Sequence, residues 1–88
     1  MRTLYIYYVD NPDFSTFEYE AIINDLLGDY AEGGASFGYS DEEYRNNGFE
    51  VSFGMVDISG DADIDEVIEM IEEEFLADGI DLVDITYN

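Results

Sequence analysis

The chemistry open to this chain is carboxylate chemistry. Of its 88 residues 23 are Asp or Glu, His and Cys are absent, and the bases are Arg2 and Arg45. The spacing Asp61-x-Asp63-x-Asp65, with Glu72 further on, matches positions 1, 3, 5 and 12 of an EF-hand calcium loop. Glu66, however, stands where that loop needs a glycine in a left-handed turn. The same residues carry a strong helix signal, so weak, non-specific divalent binding is expected and no dedicated metal site. A carboxylate pair could serve as acid and base in glycoside hydrolysis. With 23 candidates no pair stands out, and so short a chain leaves little room for a cleft that raises one carboxyl pKa by burial. Lack of His removes the commonest general base, lack of Cys removes a thiolate nucleophile, and no glycine-rich phosphate loop is present. A non-enzyme without cofactor or metal is expected.

A regular succession of elements must position the acids. Residues 3–9 are rich in Leu, Ile, Val and Tyr and end at Asp10-Asn11-Pro12-Asp13, which reads as a central strand. Ser15 and Glu18 form an S-x-x-E capping box with Phe14 and Tyr19 in the staple positions, so a helix is predicted from Thr16. Its apolar face of Tyr19, Ile22, Ile23, Leu26, Leu27 and Tyr30 carries it to about Ala31, where Gly33-Gly34 would stop it. Period-two alternation predicts a strand over residues 35–40, with Ala35, Phe37 and Tyr39 on one face. It predicts another from residue 49, with Phe49, Val51, Phe53 and Met55 set against Glu50, Ser52 and Gly54. A loop over 41–48 would join them, with Asn46-Asn47-Gly48 as a tight turn. Asp63 as N-cap opens a second helix along Ile64, Val67, Ile68, Ile71 and Phe75, which Gly79 ends. Residues 80–87 form a last strand, with Val83, Ile85 and Tyr87 facing away from Leu82, Asp84 and Thr86.

The order β-α-β-β-α-β predicts a single α+β domain over 1–88 of the ferredoxin-like type. Its four-stranded antiparallel sheet would carry both helices on one face, with the first and third strands central. Leu4, Ile6 and Tyr8 would then face the helices, and Tyr5, Tyr7 and Val9 the open face near Glu50 and Ser52. The composition, 47% hydrophobic and 16% aromatic, excludes a disordered acidic tail. The opening MRTLYIYYVD is too short in its apolar run for a signal peptide or membrane span, and a cytoplasmic protein is expected.

A net charge of −21 restricts the partners. Such a surface repels phosphate, which excludes direct binding to nucleic acid or an anionic membrane, and with it base stacking on the open sheet. A macromolecular partner should be basic. On the second helix Asp65, Glu66, Glu69, Glu72, Glu73 and Glu74 lie opposite the apolar stripe, with Asp61 just before it. Glu66, Glu69 and Glu73 stand roughly 5–6 Å apart along the axis, a spacing comparable to a row of phosphates. Asp41, Glu42 and Glu43 add to the acidic surface from the hairpin, and no base interleaves on the helix.

Two readings compete: a mimic of nucleic acid filling the basic groove of another protein, and adaptation to concentrated salt. The content of nine Ile, eight Tyr and six Phe favours the first, because salt adaptation should trim bulky apolar residues; the absence of Lys favours the second. In size, charge and lack of catalytic residues the chain resembles the acidic DNA-mimic inhibitors of phages and mobile elements, including anti-restriction and some anti-CRISPR proteins. The resemblance is one of overall character and carries over no motif. It implies blockade of the DNA-binding surface of a restriction or CRISPR complex. The expected contact surface is the second helix and the hairpin, with Tyr5, Tyr7 or Tyr44 as packing anchors. A homodimerising module on the open sheet face is a third class; its dimer would carry twice the charge of one chain.

Overall fold

The computed structural model describes residues 2–46 and 48–88, without the side chains of 41–46. Alternation in β1 (Arg2–Val9) sets the layers: Leu4, Ile6 and Tyr8 are buried, while Thr3, Tyr5, Tyr7 and Val9 are half-buried. The chain continues through α1 (Thr16–Leu27), a 3-10 turn (Gly28–Tyr30), β2 (Ala31–Asn46), β3 (Phe49–Ile58), α2 (Ile64–Ala77) and β4 (Asp81–Tyr87). The result is an α+β fold with an open four-stranded antiparallel sheet in the order β2-β3-β1-β4, so β1 and β3 are central. Tyr19, Ile23 and Leu27 of α1 join Val67, Ile71 and Phe75 of α2 in one core cluster with Leu4, Ile6 and Tyr8. Both helices therefore cover the same face of the sheet. Burying side chains of this kind contributes about 1.5–3 kcal/mol each. No helix among the described residues is long and apolar enough to cross a membrane.

The caps explain where the helices start and stop. Ser15 and Glu18 close the predicted capping box, and the Phe14 ring lies 5.6 Å from that of Tyr19. The predicted extension of α1 to Ala31 fails at Gly28, which takes φ +54 and donates its N–H to the Asn24 carbonyl. Asp63 caps α2 by accepting the Asp65 and Glu66 N–H groups. At the other end Gly79, at φ +72, and Ile80 donate to the carbonyls of Leu76 and Phe75, a Schellman closure. The calcium-loop spacing is thus used for a helix N-terminus: Asp63 is its cap, and Asp65, Glu66 and Glu72 lie within the helix.

The strands depart further from the predicted alternation. Gly33 and Gly34 end no helix; they lie within β2, where the register against β3 jumps between Glu32 and Ser36. Backbone donors near this irregularity are met by α1 side chains: Asn24 accepts the Ala35 N–H at 2.8 Å and Glu20 the Phe37 N–H at 2.9 Å. A second irregularity at Gly38, φ +98, keeps Phe37 in the core but turns Tyr39 to the opposite face. The predicted loop over 41–48 is also corrected, since β2 runs on to Asn46 and pairs it with Phe49. Asn47 of the predicted turn lies outside the described residues.

On β4 a register shift opposite Tyr7 and Tyr8 separates Val83 from Ile85. Leu82 pairs with Tyr8 and packs on the core together with Ile85, so the predicted grouping of Val83 with Ile85 does not hold. The largest correction concerns β3, because Tyr5 pairs with Met55 and Tyr7 with Phe53. The open face near Tyr5 and Tyr7 therefore carries Phe53 and Met55, and Ser52 pairs instead with the core residue Tyr8. The cause is steric: a Cβ at Gly54 would lie 2.5 Å from the Phe37 ring, which fills the helix-side space at that point.

Candidate functional site on the acidic helix and the open sheet

The stripe of Val67, Ile71 and Phe75 fixes the rotation of α2 and so aims its acids outward. Asp65, Glu66, Glu69, Glu72 and Glu73 are exposed, Glu74 is half-buried, and Asp61 is exposed in the turn before the cap. No basic residue occupies the last turn of α2. The acids at the N-terminus suit the helix dipole, whereas those at the C-terminus oppose it. Among the described residues no carboxylate or other charged side chain is buried, so these carboxylates are available to a partner in water.

The side chains of Asp41, Glu42, Glu43 and Tyr44 lie outside the described residues. Their strand forms the sheet edge remote from β4, whereas α2 packs beside β4 and α1. The acidic helix and the hairpin strand thus occupy opposite flanks of the molecule.

Between the two helices runs an open groove of about 480 Å³ lined by Ile22, Asp25, Leu26, Glu74 and Asp78. The neighbouring Asp78 carboxylate raises the pKa of Glu74 above its ordinary range, with desolvation adding to the shift. A smaller recess of about 200 Å³ separates α2 from β4, lined by Ile68, Glu72, Leu82, Val83, Asp84 and Ile85. Both combine an apolar floor with carboxylate rims.

The open sheet carries the constellation that the sequence pattern did not assemble. The Phe53 ring lies 5.5 Å from Tyr7 on one side and 5.3 Å from Tyr39 on the other, the second pair nearly parallel at 23°. Tyr39 is 41% exposed, and its hydroxyl is 3.0 Å from Ser36 Oγ. The row crosses β1, β3 and β2, with Tyr5 and Met55 paired beside it. Asp84 pairs with Tyr7 at one end of the row. Further along the same face, beyond Tyr5 and Met55, Glu32 pairs with Asp57, whose carboxylate accepts the Thr3 hydroxyl at 2.7 Å. Of the predicted anchors, Tyr5 and Tyr7 lie on this face, while Phe53, Met55 and Tyr39 were missed. The signal was Gly54, a residue without a side chain at the centre of an otherwise bulky strand.

The chain matches no protein-family model, no curated protein and no solved structure.

Proposed function

We propose that this protein is a ferredoxin-like nucleic-acid mimic. It binds the basic DNA-binding surface of a host-defence complex of the restriction or CRISPR kind and blocks target loading, without catalysing a reaction. The reading rests above all on the row of exposed, unopposed acids on α2. Ordinary solvated helices interleave both signs at i+4, which lowers the repulsion that this helix retains. A basic groove relieves it, giving fast, electrostatically steered and salt-sensitive association. The central position of β1 and β3, with both helices on one face, supports the ferredoxin-like assignment.

The test is retention of a basic nucleic-acid-binding protein from lysate at about 0.15 M salt, its release at higher salt where the Debye length shortens, and its displacement by duplex DNA. Reversing Glu66, Glu69 and Glu73 to Lys should abolish that retention; unchanged retention would move the contact off α2. A second reading, a salt-adapted regulatory or dimerising module, draws on exposed acids elsewhere, including Glu18, Asp25, Asp29, Asp81 and Asp84. It requires that the protein fold only in concentrated salt.

A further inference from the structure

We infer that the open sheet face is a docking surface for an arginine-bearing segment of the protein partner, whose guanidinium groups lie on the Tyr7–Phe53–Tyr39 row beside Asp84 and reach the Glu32–Asp57 pair further along the same face. The inference rests on the mimic reading for the basic character of the partner, and it adds where that partner is anchored. Both helices cover the other side of the sheet, and on this side Tyr39 is exposed while Tyr7 and Phe53 are half-buried. Aromatic faces attract cations, arginine more readily than lysine because its planar group both stacks and forms paired hydrogen bonds.

Charge selects the occupant. Glu32 and Asp57 stand directly opposite each other across β2 and β3, an arrangement of like charges that destabilises a sheet until a cation lies between them. Asp84 faces Tyr7 from β4. A nucleic-acid strand stacked on the row would bring phosphates against these carboxylates. A second copy of the chain would bring a second set of the same acids. An arginine-rich segment supplies both the flat cation and the countercharge. The protein itself shows the contact in miniature, with the Arg2 guanidinium 5.2 Å from the centre of the Tyr87 ring.

The experiment compares oligoarginine and oligolysine peptides of equal length, titrated into the whole protein at about 0.15 M salt and followed by backbone amide shifts. Oligoarginine should bind the more tightly and shift the amides of β1, β3 and β2 around Tyr7, Phe53 and Tyr39. The double variant Tyr39→Leu/Phe53→Leu keeps apolar bulk at both positions and removes two rings; it should weaken oligoarginine roughly tenfold and oligolysine far less. Tyr39→Phe, which keeps the ring, should bind as the parent does. If instead the leucine variant binds unchanged while neutralising Glu66, Glu69 and Glu73 to Gln abolishes binding, the docking surface is overturned and the mimic reading stands on α2 alone. Preference for a single-stranded oligonucleotide over both peptides overturns both readings. Self-association that the leucine variant removes overturns the docking surface in favour of a dimer seam.

Discussion

Gly54 and Phe37 show how much one missing side chain decides. The Phe37 ring lies where a Cβ at Gly54 would be, and Phe37 belongs to the core. Gly54→Ala should therefore cost about 1–3 kcal/mol through overpacking, read as a lower urea midpoint at unchanged slope. Gly60→Ala, which meets nothing within 4 Å, should leave the midpoint nearly unmoved. The buried tyrosines offer a second test. Burial pushes the Tyr19 phenol up to about 12, with the Asp10 carboxylate adding to the shift, and raises Tyr8 further by the same desolvation, with Tyr19 and Asp10 contributing. A phenol whose pKa is raised on folding contributes stability that is full below its unfolded value of about 10 and is lost as pH rises through the folded value. Alkaline titration by tyrosinate absorbance should accordingly show two groups ionising late, together with loss of the fold; ionisation of all tyrosines near their ordinary pKa with the fold intact would contradict this.

At the scale of elements, the starts of both helices, the end of α2 and the faces of β1 were open to reading, whereas the end of α1 and the faces of the other strands were not. Caps are local: Ser15 with Glu18, and Asp63 with its own first turn, act within a few residues of chain, so type and spacing suffice. Ser15→Ala should lower stability by about 1 kcal/mol, and Gly79→Ala by a similar amount because only glycine takes the φ of +72 there without strain; thermal denaturation measures both. Strand faces depend on register, and one displaced residue reverses every side chain beyond it. Tyr39 lies beyond Gly38 and Val83 at the shift in β4, which is why the alternation misplaced them. On α2 the prediction concerns pH. Asp78 raises the pKa of Glu74 in the folded state, so the destabilising repulsion is present above the folded pKa and relieved as pH falls below it. Mild acidification from neutrality should raise the melting temperature, and Glu74→Gln should flatten that rise.

For the whole molecule the governing quantity is a charge of −21 on a body with a Cα radius of gyration of 12.2 Å. Self-repulsion of this size should make stability climb with added salt as the Debye length falls from about 30 Å at 0.01 M to about 8 Å at 0.15 M. Unfolding midpoints across that range test it, and a flat profile would mean that the acids are too dispersed to act together. The sequence by itself determined the element order, the N-caps, the stripe of α2 and that of α1 as far as Leu27, and the acidic face of α2, because each depends on neighbours within a turn or two of chain. Tyr30, predicted on the α1 stripe, lies exposed in the 3-10 turn. Only the tertiary structure decided that β3 turns Phe53 and Met55 away from the helices, that Tyr39 joins them, and that the hairpin strand lies on the opposite flank from α2. Those outcomes depend on competition for one space. Phe37, arriving from a neighbouring strand, occupies the volume above Gly54, and a contact between residues 17 positions apart leaves no periodic trace along the chain.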